Sequence, residues 1–164
     1  MKKYSIILVV LLQSFVAAVF SQSTKDGFYI STVKNTTKFE DVNMDNYRSN
    51  PKNKNGEEME NPSSEFSSKE KLKKIERELY NEEERNYMLS HYRPRAMAMV
   101  RANDGEIVSV TFIFNNLEDP SFIDTKKLRV LRKKIMAENS FDVLFNGQRA
   151  ASGYIPARIS LFKP

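Results

Sequence analysis

His91 is the only imidazole in the chain and follows Ser90 directly. A hydroxyl beside an imidazole raises the possibility of a nucleophile and its base. Adjacent side chains on a helix diverge, so Ser90 and His91 are not expected to face each other as such a pair must. A histidine near a helix end, favourable towards the carbonyl end of the dipole, is the simpler expectation. The carboxylates crowd into Glu57-Glu58, Glu82-Glu83-Glu84 and Glu118-Asp119. All lie in polar segments, where nothing raises a carboxyl pKa towards acid catalysis. There is no cysteine, which excludes thiolate nucleophiles, thiolate metal sites and disulfides. One histidine cannot build a multi-histidine metal centre. No glycine-rich phosphate loop and no Gly-x-Ser-x-Gly elbow occurs. The expectation is a protein that is not an enzyme and uses no cofactor or metal.

Two other features could bind. Lys126, Lys127, Arg129, Arg132, Lys133 and Lys134 fall in one stretch, with no acidic residue from Thr125 to Ala137. A polyanion or an anionic lipid headgroup could sit there. A solvated helix face is the plainer explanation. Nucleic acid is not expected, because no aromatics interleave with these cations. The second feature is the closing segment, Ile155 to Phe162. Ile155, Ala157, Ile159 and Leu161 alternate with Pro156, Arg158 and Ser160, which is a strand pattern. Pro156 lacks an N–H and belongs at a strand start or a sheet edge.

The whole chain bounds these readings. Its 164 residues carry 26 Lys+Arg against 21 Asp+Glu, a formal net charge of +5, and 40% are hydrophobic. That suffices for one domain and a tail. Lys2 and Lys3 precede an apolar run from Ile6 to Phe20, broken only by Gln13 and Ser14. The run is about 15 residues, short of the roughly 20 that span a bilayer. Val19 and Ser21 are small enough for a signal-peptidase site. Residues 1–21 are therefore expected to be a signal peptide, with Gln22 as the mature N-terminus and a periplasmic or secreted product. Membrane contact is expected only if that segment is retained.

Residues 22–66 read as a flexible or loosely packed tail and linker. Gly27 to Val33 is their one strand-like stretch, and Asn50 to Glu57 contains no apolar residue. A long surface loop is the alternative there. Residues 67–164 read as the folded domain. Ser67 with Glu70 has capping-box spacing, and Leu72, Ile75 and Leu79 share a helix face. Asn81 with Glu84 can cap a second short helix, so one broken helix or two both fit. After Pro94 the period becomes alternating. Arg95 to Ala102 and Glu106 to Phe114 flank Asn103-Asp104-Gly105, a hairpin signal. Val108, Val110, Phe112 and Phe114 should face the core. Asp124 can cap a helix over 125–138 with a stripe of Leu128, Leu131 and Ile135. Phe141 to Phe145 is another strand, followed by the turn Asn146-Gly147.

The ordered set resembles the C-terminal domain of TonB and its relatives over roughly Tyr92 to Phe162. The matching pieces are Tyr92-Arg93-Pro94 leading into a strand, the Asp104-Gly105 turn, the strand to Phe114, Asp124 opening a helix with Leu128 and Leu131, the Asn146-Gly147 turn, and Pro156 to Phe162. The spacer departs from TonB, being short and rich in Asn, Ser, Glu and Lys rather than Pro. The apolar N-terminal segment has no histidine either. The resemblance implies a small exported module without the transducer's anchor. The expected fold class is α+β, a small antiparallel sheet with packed helices.

The expected function is recognition of an envelope protein or peptide by pairing at a sheet edge, where unpaired N–H and C=O groups accept an extended segment. Ile155, Ala157, Arg158, Ser160 and Phe162 are its candidate residues, and the same strand is also a candidate homodimer contact. The alternative is electrostatic binding of anionic glycan or lipid through the basic helix.

Overall fold

The computed structural model describes residues 22–163, so the expected signal peptide lies outside the described residues. The fold is α+β. Strands β1 (Gln22–Lys25), β2 (Phe28–Val33) and β3 (Thr36–Asp41) come first, then β4 (Pro62–Phe66). Helices α1 (Lys69–Leu79) and α2 (Glu82–Tyr92) follow, then β5 (Arg95–Arg101) and β6 (Ile107–Asn115). Helix α3 (Thr125–Glu138), β7 (Phe141–Phe145) and β8 (Tyr154–Ser160) complete the described elements. Six strands form one antiparallel sheet in the order β1-β2-β3-β6-β5-β8, and β4 pairs with β7 in a separate ribbon.

The first half of the chain corrects the sequence expectation. Residues 22–41, expected in a loose tail, build half of the large sheet. The turn between β1 and β2 is Asp26-Gly27, with φ of 51° and 82°, as a two-residue hairpin requires. Phe28, Ile30 and Phe39 are buried, and β3 pairs directly with β6. Three short strands with so few apolar residues are unstable alone. They persist here because β6 offers them an edge some seventy residues later in the chain. The polar segment 62–66 is likewise a strand, held by backbone pairing to β7 and by Phe66 against Phe141, ring centroids 5.2 Å apart. Asn50 to Glu57 is the surface loop of the alternative reading. The Asn53 side chain accepts the Asn55 and Glu57 N–H groups there.

The core lies between the large sheet and the helices. Val110, Phe112, Phe114, Leu128, Leu131, Ile135 and Ile159 belong to one buried cluster with Leu72 and Ile75 of α1. One face assignment changes. The β5–β6 register shifts between Met99 and Val100, so Met99 opposes Ser109 while Val100 opposes Ile107. The extra residue is Val108, and the bulge turns Ile107 into the core cluster in its place.

The helices begin and end on local chemistry. Ser68, one residue later than expected, caps α1 by accepting the Lys71 N–H, while the Ser67 hydroxyl bonds with Ser140. Asn81 and Glu84 form the reciprocal capping box, and the extended Tyr80 between them and α1 makes two helices rather than one. Asp124 caps α3 through the N–H groups of Lys126 and Lys127.

The loop between β5 and β6 is wider than a two-residue hairpin, with Arg101 N–H bonded to the Glu106 carbonyl. Gly105 has φ of 77°, and a Cβ there would lie 1.7 Å from the Phe141 carbonyl oxygen. Gly147 has a similar φ of 83° but open space around it. Gly105→Ala should cost roughly 3 kcal/mol or more, and Gly147→Ala about 1–2 kcal/mol, the left-handed backbone penalty alone. Urea unfolding of the two variants checks this; equal losses would mean that the Gly105 loop does not press on β7.

Candidate functional site

Strand β8 ends the large sheet and pairs only with β5, in the register from Arg95↔Ser160 to Arg101↔Tyr154. In an antiparallel strand successive residues turn their backbone groups to opposite sides. Two bonds set the parity. Ala102 N–H donates inward to the Gly153 carbonyl at 2.9 Å, and Tyr154 N–H donates outward to the Ser49 carbonyl at 3.0 Å. Ile155, Ala157 and Ile159 therefore bond to β5, and Pro156, Arg158 and Ser160 turn outward. Pro156 costs no ladder bond in that position. The start of the edge is covered where Lys52 pairs with Ser152. Beyond it, the N–H groups of Arg158 and Ser160 have no acceptor among the described residues.

The five expected edge residues do not all face a partner. Ile155, Ala157 and Phe162 are buried in the core, so their side chains are corrected from recognition to packing. Arg158 and Ser160 have exposed side chains. Helix α1 was not expected at the site, yet it forms the opposite wall. A groove of about 370 Å³ runs between it and β8, with Phe66 of β4 also in its lining. Lys69, Lys73, Arg158 and Lys163 bring cations to it, and Glu70 and Glu76 bring carboxyls. The amphipathic spacing of α1 indicated its buried face but not which strand it would stand beside.

Glu76 ties the two walls together. Its carboxyl is buried, 3% exposed, and accepts the Phe162 N–H at 2.8 Å. Burial pushes its pKa up to about 7, although the Phe162 bond and the Arg85 and Lys73 cations pull the other way.

Half of the six cations of the basic helix are committed to the fold. Lys127 bonds Glu84 at 2.6 Å and Lys134 bonds Glu78 at 2.5 Å. These lysines hold the Glu84 and Glu78 carboxyls below their ordinary range. Arg132 lies 3.2 Å from the buried Asp41, donates to the Gly27 carbonyl at 3.0 Å and stands 4.6 Å over the Phe28 ring. Lys126, Arg129 and Lys133 remain exposed.

Ser90 and His91 differ from expectation in touching, with Oγ 2.9 Å from Nδ1. That nitrogen is also 2.9 Å from the Tyr87 carbonyl, which can only accept. Nδ1 therefore carries hydrogen and cannot serve as a base for Ser90, whose hydroxyl donates to the Asn86 carbonyl at 2.8 Å. No helix among the described residues is long and apolar enough to cross a membrane.

The buried carboxyl predicts a pH dependence. Folding raises the Glu76 pKa from 4.5 to about 7. The stability of the protonated form is thus fully present below about 4.5 and is lost as pH rises through about 7. At about 1.4 kcal/mol per pH unit, the loss is roughly 3 kcal/mol. Glu76→Gln keeps an acceptor for Phe162 but cannot ionise. Denaturant unfolding from pH 4 to 8 should show wild type losing stability relative to this variant; parallel profiles would contradict the buried carboxyl.

No family model matches the sequence, and no curated protein matches it. Among solved structures, the fold is similar to that of a DUF5043 family protein from Bacteroides uniformis ATCC 8492, with a TM-score of 0.55. The two sequences are 12% identical, and the match covers 87% of this chain and 86% of that one. At that identity the likeness is one of fold.

Proposed function

We propose that the protein is an exported, non-enzymatic binding module that takes an extended segment of an envelope protein or peptide as an added strand along β8. The observation that carries this reading is the outward row of backbone groups at Pro156, Arg158 and Ser160, beside the α1 groove. An added strand gains affinity from main-chain bonds and selectivity from the pockets its alternate side chains meet. The cations at Lys69, Lys73, Arg158 and Lys163 favour acidic side chains in that segment. They also weigh against a second copy of the chain. A two-fold pairing centred on Arg158 would set that residue against itself, and directly opposed like charges destabilise a strand pair.

The basic N-region, apolar run and small residues before Gln22 support export, and the TonB-like pattern over 92–162 fits a module of the envelope. The basic-helix alternative has less support, because Lys127, Arg132 and Lys134 are already paired within the fold.

The test is fluorescence anisotropy with a seven-residue peptide alternating Glu and Val, against the same peptide N-methylated along one backbone edge. The unmodified peptide should bind. N-methylation, or Ser160→Pro in the protein, should weaken it about tenfold or more, the loss of one or two backbone bonds. Ser160→Pro should keep its circular dichroism, since its N–H points away from β5. Equal binding of the N-methylated peptide would reject strand addition.

A further inference from the structure

A second concave site lies beyond the C-terminal end of α1, between α2 and the segment leading into α3. Its volume is about 320 Å³, at the small end of ligand pockets. Tyr80 forms part of its floor, and Tyr87 and Phe122 stand at its rim. Phe122 is 72% exposed and Tyr87 52%, two of the most exposed large apolar side chains of the described residues. Neither is loosely held. Phe122 sits on a short 3-10 turn that Asp119 caps through the Ser121 N–H at 2.8 Å. Tyr87 is stacked on His91 at 4.1 Å and meets the Tyr92 ring edge-to-face at 5.8 Å, yet about half of it stays exposed.

The polar side of the cleft is a mixed set. Lys127 Nζ bonds Glu84 at 2.6 Å and lies 5.2 Å over the Tyr80 ring, so two of its three hydrogens remain for a ligand. Asp124 Oδ1 accepts the N–H groups of Lys126 and Lys127, while its Oδ2 has no donor among the described residues. A free acceptor and free donor hydrogens therefore line the same cleft as the aromatic rings. An anion would meet the Glu84 and Asp124 carboxylates. A cation would meet the Lys127 ammonium. A pair of neighbouring hydroxyls, each able to donate and accept, suits both groups at once, and the apolar C–H face of a sugar ring suits the tyrosine and phenylalanine rings.

From this we infer that the cleft bounded by Tyr87, Phe122, Asp124 and Lys127 binds a neutral saccharide, one or two rings at a time. The site is separate from the β8 edge and does not depend on strand addition.

The chain has no tryptophan, so its fluorescence comes from seven tyrosines, and Tyr80, Tyr87 and Tyr92 of these line the cleft. The probes are cellotriose, xylotriose, mannotriose and chitotriose, each titrated to about 10 mM, the weak end of specific affinity. At least one should bind, with little change when salt rises from about 0.05 to about 0.5 M, because no net charge is neutralised. Phe122→Ala and Tyr87→Ala should each weaken that binding about tenfold, as expected for removing a stacked ring. Phe122 is the more exposed, so the unfolding midpoint of Phe122→Ala should stay near wild type, and circular dichroism checks that Tyr87→Ala, which loses its His91 and Tyr92 contacts, remains folded. Calorimetric titration of the variants provides a readout that does not rely on the tyrosines. Failure of all four saccharides would overturn the inference. So would binding indifferent to both substitutions, or binding confined to a sulfated trisaccharide and lost with salt.

Discussion

A single buried hydrogen bond, from the Phe162 N–H to the Glu76 carboxyl, sets how α1 stands against the edge of the sheet. It joins the middle of a helix to the end of the last strand, 86 residues away. Phe162 has φ of 55°, a left-handed conformation that a bulky residue adopts only when its surroundings hold it there. The Phe162 ring completes the clamp by packing edge-on against Tyr80 at 5.1 Å. The chain turns at this point, two residues beyond the end of β8 at Ser160, and Lys163 after it lines the groove. The clamp needs an acceptor oxygen, and the carboxyl that supplies it stands where burial disfavours its charge; the protonated acid still accepts the N–H through its carbonyl oxygen.

The opposite end of the sheet is held by charge in another form. Arg132 reaches from α3 to Asp41, the Gly27 carbonyl and the Phe28 ring, so one side chain fastens the helix to both β2 and β3. Removing one partner of such a pair would strand the other in a buried site. What looks in sequence like a uniformly basic surface is thus partly architecture. Between the two fastenings lies β6, every residue of it buried except the last, with aromatic residues of β2 and β3 packed edge-to-face on Phe112 and Phe114.

The elements of the C-terminal half were readable because their signals are local. The Asn81–Glu84 capping box, the Asp124 cap, the Leu128-Leu131-Ile135 stripe and the Asn146-Gly147 turn each need only a few consecutive residues. The N-terminal strands were not, since Phe28 and Phe39 bury against a strand and a helix far away in sequence. A usable signal was present in Asp26-Gly27, a two-residue hairpin turn between short β-prone stretches. The displacement of Val108 by Ile107 reflects a bulge, which alternation alone does not reveal. At the candidate site, alternation separated inward Ile155, Ala157 and Ile159 from outward Arg158 and Ser160. It could not show that α1 supplies the second wall, nor that the exposed Phe122 and Tyr87 meet across a cleft, because both depend on how helices dock.

The account rests on an open β8 edge with a defined parity. Backbone amide hydrogen exchange in the free protein tests this without any assumption about the partner. The account predicts alternation along the strand: the amides of Ile155, Ala157 and Ile159 protected by β5, those of Arg158 and Ser160 exchanging close to the rate of unstructured peptide. Uniform protection of all five would mean that the edge is already covered, and would contradict the central claim.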